Sequence, residues 1–462
     1  MSIRFGTSGW RAIIADEFTF DNVRRVINAI CGYLKTTEFA DRPLIIANDT
    51  RFMGEEFGRL AAEIAASKGF KVLLCTAPAP TPAVSRAVIN QRAAGAINFT
   101  ASHNPPEYQG IKFSTSDGAP ALPEVTRQIE NLIATGEEPT NTDGGFIEEF
   151  DPKEDYLSDL ESKIKFSAIA GSGGSFAYDP LWGTGRGYLD EVLRRHKLDV
   201  RTIHDWRDVL FGGRSPEPAA DHLDELESAV LSEKHILGLA TDGDADRFGV
   251  IDSDGTFIEP NKLIALLADY LLETRGLKLG VARSVATSHL IDRVAAAHNV
   301  EIHETPVGFK FIGELIKQGR IILGGEESAG LSINGHYPEK DGILACLLAA
   351  EAVATRGESL GRQLESLYSR VGWLESKRVS IKVDDNIAAR LKEKLDNVPT
   401  EIGGRRVSSV NRIDGVKFVF DNQSWLLVRP SGTEPVIRVY AESATLEDLE
   451  ELIEQGKSYL LG

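Results

Sequence analysis

Ser102 is the residue around which chemistry could be built. It stands in Thr100-Ala-Ser102-His103-Asn-Pro105, directly after the mostly apolar run 94–99. A short apolar run ending in turn residues reads as a buried strand entering a loop, and open α/β sheets hold their ligands at the carboxyl ends of such strands. A serine held there is a candidate for covalent chemistry, although the hexapeptide alone fits an exposed loop serine equally well. Serine is a poor nucleophile near neutral pH and needs a partner to take its proton. Two chain neighbours qualify: His103 and, beyond Pro105-Pro106, Lys112 in Gln109-Gly-Ile-Lys112.

Thr241-Asp242-Gly-Asp244-Ala-Asp246-Arg247 sets three carboxylates at alternate positions. They can converge only on an extended or turned backbone, and three ionised carboxylates so close repel one another and require a cation. Ligands that are all oxygen point to a hard metal, Mg2+ or Ca2+. An EF-hand is excluded, because Arg247 holds its glycine position and Ser253 its final glutamate position. A phosphoaspartate nucleophile of the dehalogenase type calls for Thr or Val where Asp246 stands. Arg429-Pro-Ser431-Gly432-Thr433-Glu434-Pro435 combines hydroxyls, backbone donors and a guanidinium, a composition suited to holding phosphate. Phe5-Gly-Thr7-Ser8-Gly-Trp-Arg11 has a similar make-up, and Gly324-Gly325-Glu326-Glu327-Ser328-Ala-Gly330 follows the apolar residues 321–323. Gly183-Thr-Gly-Arg-Gly187 is a backbone turn and not a dinucleotide loop, since Tyr188 stands where the third small residue belongs.

Strands and helices must bring these loops together. In the first part, 44–47, 71–75 and 94–99 read as strands, separated by helices over 54–68 and up to about 90. The helix over 54–68 places Phe57, Leu60, Ala61 and Ile64 on one stripe and ends at Gly69. This is a βαβ series, hence a parallel sheet between helices. The polar, turn-rich stretch 136–145 is a candidate boundary. The plan recurs with strands at 175–178 and 236–240, then at 281–286, 300–303 and 321–323, each of the last three followed by a helical stretch. From about Ser369 the pattern changes to strands at 379–383, 417–420, 425–428 and 436–440 and a helix over 446–459, an α+β arrangement.

At 462 residues, 42% hydrophobic and 26% charged, the chain suits a globular protein of three or four domains. No run approaches ~18 apolar residues, so no membrane span is expected. The start has no apolar signal core. Cys31, Cys75 and Cys346 are few, scattered and odd in number, which fits reduced core thiols in a cytoplasmic protein. A net charge of −18 argues against nucleic acid or an anionic membrane as partner. It is compatible with a phosphorylated substrate because Arg11, Lys112, Arg247, Lys310, Arg429 and Arg438 fall in or beside the motifs.

Together these segments resemble the α-D-phosphohexomutase superfamily, from about residue 5 to the end and with the four main motifs in that family's order. The resemblance implies three related α/β domains with mixed, largely parallel sheets and a smaller α+β domain around a central cleft. The expected limits are 1–148, 149–256, 257–369 and 370–462. It implies that Ser102 carries a phosphoryl group, that Lys112 transfers protons with His103 in support, and that Arg11 lies on the phosphoserine side. It also implies Mg2+ held by Asp242, Asp244, Asp246 and the Ser102 phosphate, with Arg247 beside them. Arg429, Ser431, Gly432 and Thr433, with Arg438, are implied to hold the phosphate that does not react. Glu326 and Ser328 match residues that contact sugar hydroxyls, and Thr305-Pro-Val-Gly308-Phe-Lys310 looks like the neighbouring phosphoglucomutase segment. The bifunctional phosphomannomutase/phosphoglucomutases and the phosphoglucosamine mutases end the Glu326 motif in Gly-His, whereas this chain has Ala329-Gly330, which favours glucose. A mannose-using or bifunctional enzyme is the first alternative and a glucosamine-using one the second. His336 either approaches the site or is structural. The implied reaction interconverts glucose 1-phosphate and glucose 6-phosphate through a bound glucose 1,6-bisphosphate, in a monomer or homodimer. A non-catalytic phosphosugar-binding protein is the alternative of another class; it would be expected to lose Ser102 or the aspartates, and all are present.

Overall fold

A computed structural model describes residues 3–6, 9–382, 394–430 and 436–461. One wiring recurs in three successive sheets. In the first, β2 (Leu44–Asn48) lies between β3 (Lys71–Cys75) and β4 (Gly95–Phe99), all parallel, and β5 (Tyr108–Thr115) returns antiparallel to β4. In the second, β7 (Ser175–Asp179) lies between β8 (Asp199–Thr202) and β9 (Leu237–Thr241), with β10 (Phe248–Asp252) returning antiparallel to β9. In the third, β11 (Gly280–Ser284) lies between β12 (Ile302–Thr305) and β13 (Ile321–Glu326), with β14 (Gly330–Ile333) returning on β13. The first sheet is extended at its two edges by β1 (Trp10–Ile13) and β6 (Phe146–Phe150). Strands β2, β4, β7, β9 and β11 are buried along most or all of their length, as near-continuous apolar strands covered by helices must be.

The cores of these units are not equally separate. The first unit has its own cluster, in which Phe57 and Ala61 of the helix Gly54–Ser67 pack with Val23, Ile46 and Phe99. The second and third units share one continuous core. Its centre is the helix Gly342–Arg356, apolar all round, which touches β9, β10 and β14. A helix apolar on every face must be covered on every face, and one sheet alone cannot do that.

The last unit is a single antiparallel sheet in the order β15-β20-β19-β18-β17-β16: β15 (Glu375–Lys382), β20 (Val436–Ser443), β19 (Trp425–Pro430), β18 (Val416–Phe420), β17 (Arg405–Asn411) and β16 (Glu401–Ile402). The helix Leu446–Leu461 packs on β20. The fold class is the expected one, three α/β units and an α+β unit. Four details differ. The boundary expected at 148 cuts through β6, whose pairing with β3 carries the first sheet to Phe150. The boundary at 369 falls inside the helix Leu360–Val371. Residues 321–323 lead first into a hairpin rather than a helix. Strands β1, β5, β6, β8, β10, β14, β16 and β17 lie outside the expected set; β6, β16 and β17 are short or largely exposed and carry charged residues. Val383 of the expected strand 379–383 lies outside the described residues.

Candidate active site

The repeated wiring gives every α/β unit the same hairpin after its third parallel strand, and each hairpin carries one of the sequence motifs. Ser102 lies between β4 and β5, the three aspartates between β9 and β10, and Glu327-Ser328-Ala329 between β13 and β14. Each hairpin also has one non-glycine residue with left-handed backbone: Ser102 at φ 53°, Ala245 at φ 58° and Ala329 at φ 66°.

Ser102 is buried, and its amide donates to Thr100 Oγ1 at 2.8 Å. Its hydroxyl donates to Asp242 Oδ2 at 2.7 Å and lies 3.3 Å from His103 Nδ1. Burial, then the charges of Arg247 and Arg11, hold His103 well below the ordinary imidazole range, so its ring is neutral. Lys112, on β5, instead donates to Asp244 Oδ2 and Asp246 Oδ2, each at 2.6 Å. Of the two partners weighed for the serine, His103 is the one within reach of its oxygen.

The aspartate loop brings one oxygen of each of Asp242, Asp244 and Asp246 within 4.8 Å of the others, all three residues being buried. Burial and the two neighbouring carboxylates push Asp242 well above the carboxylate range, against the pull of Arg247 and Ser102. Asp244 is raised by burial and by Asp246, but Lys112 and Thr81 bring it below its ordinary value. Asp246 is likewise raised by burial and brought low by Lys112, Lys340 and Arg247. Oδ1 of Asp244 and Oδ1 of Asp246 are buried without a hydrogen-bond partner. Two orphaned carboxylate oxygens beside a third acid fit a hard divalent cation, for which oxygen donors at this spacing are the usual ligands. The Arg247 amide donates to Asp242 Oδ1 at 3.0 Å, and its guanidinium reaches Glu217 at 3.3 Å. Arg11 holds Asn104 Oδ1 at 2.6 Å, next to the serine loop.

Sequence reasoning missed Lys340 and Thr81. Lys340 Nζ donates to Asp246 Oδ2 at 2.6 Å and to Glu339 Oε1 at 3.2 Å. Its stem lies over Gly330, where an added Cβ would come within 2.5 Å of Lys340 Cδ. Thr81 Oγ1 donates to Asp244 Oδ2 at 2.5 Å from the start of the helix Thr81–Asn90. Lys340 carried no legible signal, because Glu339-Lys340-Asp341 reads as a polar helix start, and Asp341 does cap the next helix.

Glu326, at the end of β13, accepts from the Gly308 amide at 2.7 Å, and burial followed by Glu327 raises its carboxyl to about 7. Ser328, Glu327 and Arg247 line a cavity of about 300 Å3, whose far wall includes Arg378 and Tyr440 of the last unit. Lys310, Lys112 and Lys340 line a second one of about 20 Å3. Arg429 Nε donates at 2.9 Å to Asp414 Oδ2, which also accepts from the Val307 amide at 3.1 Å, so Arg429 is tied to the Gly308 segment. Arg438 faces Arg429 across β19 and β20. Ser431, Gly432 and Thr433 lie outside the described residues, as do Thr7 and Ser8. His336 is structural: its Nε2 lies 3.0 Å from Asp341 Oδ2, and its ring packs on Tyr337 in the shared core.

Models of the phosphoglucomutase/phosphomannomutase family match the chain in four pieces. The alpha/beta/alpha domain I matches residues 2–140, domain II 154–255, domain III 259–371 and the C-terminal domain 379–456. A phosphoglucomutase/phosphomannomutase of Thermococcus kodakarensis is 30% identical, over 98% of this chain and 97% of its own. A phosphoglucomutase of Rhizobium radiobacter is 31% identical, over 95% and 89%. The crystal structure of a Thermus thermophilus protein, provisionally described as a phosphomannomutase, superposes with a TM-score of 0.88 at 33% identity and covers 100% of both chains.

Proposed function

Because this chain belongs to the phosphoglucomutase/phosphomannomutase family, and so to the phosphohexomutases, we propose that it interconverts glucose 1-phosphate and glucose 6-phosphate through a phosphoserine at Ser102. The observation that carries this reading is the 2.7 Å contact of Ser102 Oγ with Asp242 Oδ2, at the edge of three converging carboxylates. The phosphoryl group on Ser102 passes to the free hydroxyl of the bound hexose phosphate: the Ser102 O–P bond breaks as the sugar O–P bond forms, and the proton lost by that hydroxyl ends on the freed Ser102 Oγ. The resulting 1,6-bisphosphate turns over in the cleft, and its other phosphoryl group returns to Ser102. Asp242, Asp244 and Asp246 would hold Mg2+, whose chemistry when bound is to draw charge from the phosphoryl oxygens.

The other roles follow from position. His103, neutral and 3.3 Å from Ser102 Oγ, accepts and returns a proton at the serine. Lys112, buried and held protonated by Asp244 and Asp246, offers a proton at the small cavity it shares with Lys310. Arg11 and Arg247 supply positive charge on the serine side, and Arg429 with Arg438, Ser431, Gly432 and Thr433 receives the phosphate that is not reacting. Glu326 and Ser328 meet the sugar hydroxyls, with Gly308 and Lys310 beside them. Glucose is favoured over mannose because Ala329-Gly330 stands here where the bifunctional and glucosamine subgroups have Gly-His. A cytoplasmic location fits three buried, unpaired thiols, and no helix among the described residues is long and apolar enough to cross a membrane.

The test is turnover of the 1-phosphates of glucose, mannose and glucosamine with Mg2+, in wild type and Ser102→Ala, with intact mass read in parallel. Glucose 1-phosphate should give the highest kcat/KM. The variant should lose about a thousandfold or more of turnover, together with the phosphate-sized adduct of the wild type. Near-normal turnover in Ser102→Ala removes the phosphoserine, and a preference for mannose removes the glucose assignment.

A further inference from the structure

Arg51 belongs to none of the motifs, yet it is fully buried, and its guanidinium is spent almost entirely on one loop. It follows β2, beside the β4–β5 hairpin. Nη1 donates to the carbonyls of Pro105 at 2.8 Å and Tyr108 at 3.0 Å. Nη2 donates to the carbonyls of Ser102 at 2.7 Å and Asn104 at 2.5 Å. Nε is paired with Asp49 Oδ2 at 3.2 Å, and the face of the guanidinium lies 4.9 Å from the centre of the Phe211 ring. Arginine has five N–H donors in a rigid planar fork, and only such a group can gather four carbonyls at fixed angles.

Those four carbonyls define the curl of residues 102–108, including the left-handed backbone at Ser102. The same segment sets the first unit against the second. Thr50 Oγ1 donates to the Trp182 carbonyl at 3.0 Å, and Phe211 comes from the second unit. The serine and aspartate loops touch backbone to backbone, since a Cβ added at Gly243 would lie 2.6 Å from the Ser102 carbonyl oxygen. A shift of the Ser102 carbonyl therefore moves the hydroxyl relative to Asp242.

We propose that Arg51 is a positioning residue for the reaction, its fork fixing the Ser102 backbone so that the serine oxygen stays at the aspartate cluster. The proposal rests on the reading of Ser102 as the phosphoserine. Lysine at this position keeps the charge and loses the fork. In Mg2+-loaded, full-length Arg51→Lys we expect kcat to fall about a hundredfold, the scale of an ångström-sized misplacement. KM for glucose 1-phosphate should stay within about threefold and the melting temperature within a few degrees. Phosphate transfer from glucose 1,6-bisphosphate to Ser102, followed by intact mass, should slow with kcat. A merely structural role would move the melting temperature and leave the kcat of folded protein alone.

A folded variant with kcat within twofold of wild type overturns the proposal. Should Arg51→Lys fail to fold, Asp49→Asn keeps the side-chain volume while removing the carboxylate paired with Nε. It should lower kcat at least severalfold at constant KM, and an unchanged kcat there overturns the proposal equally. The reading beneath is tested apart, by the phosphate adduct of wild type and by Ser102→Ala. If those hold while Arg51→Lys turns over normally, only the positioning role is lost.

Discussion

At the scale of single residues, the site works by holding charges that water would otherwise separate. Three buried carboxylates face two buried lysines, Lys112 and Lys340, and neutralising one acid changes what the cluster can bind. Asp244→Asn is expected to weaken Mg2+ and to lower turnover by orders of magnitude. A ligand at about a hundred times its Kd adds about 2.7 kcal/mol to stability. Mg2+ should therefore raise the melting temperature of wild type and leave that of the variant nearly unchanged. Full activity of the variant in chelator-treated buffer would exclude a catalytic metal here. Glu326 supports a second expectation. Burial raises its carboxyl from 4.5 to about 7, so the folded protein retains a proton that the unfolded chain releases. Stability from this group is complete below pH 4.5 and is lost as pH rises through about 7, a difference worth about 3 kcal/mol. Glu326→Gln should flatten that part of the stability–pH curve relative to wild type. Parallel curves would remove Glu326 as its source.

Hairpins are the elements that matter. The same return strand in each α/β unit delivers the serine, the aspartates and the glutamate–serine motif to one place. Because the third hairpin starts at Glu326 and returns at Gly330, Lys340 can lay its stem across the glycine and still reach Asp246. Gly330→Ala is expected to push that stem aside, at a cost of about 1–3 kcal/mol of stability and with a loss of turnover. The loss should be small when Lys340 is already Ala. A double-mutant cycle in which the two effects simply add would mean that the residues do not communicate. The apolar runs before each motif made the three strands legible, since burial on both faces forces them to be apolar. The return strands after them were not legible: β5 mixes polar with apolar residues, β10 is only five residues long, and their order follows only from pairing.

On the scale of the whole molecule, the last unit is fastened to the third by a buried charge. Lys417 donates to the Val285 carbonyl at 2.9 Å and lies 2.8 Å from His289 Nε2, with its ammonium 4.0 Å from the centre of the Trp425 ring. Glu304 completes the set at 3.4 Å. Removing one member of a buried charged set strands the others, so Lys417→Ala should cost about 3 kcal/mol, read by urea unfolding followed through Trp fluorescence. A loss below about 1 kcal/mol would make this contact incidental. The sequence by itself determined the α/β and α+β classes, the loops whose residue types suit chemistry and the type of cation the aspartates suit. Those are consequences of periodicity, turn residues and ligand type, all local along the chain. Only the tertiary structure decided that His103 rather than Lys112 reaches Ser102, that Lys340 and Thr81 join the aspartates, that His336 is structural, and that the second and third units share a core. Each of these depends on which distant segments are pressed together, and burial strengthens or cancels a charge only once that packing exists.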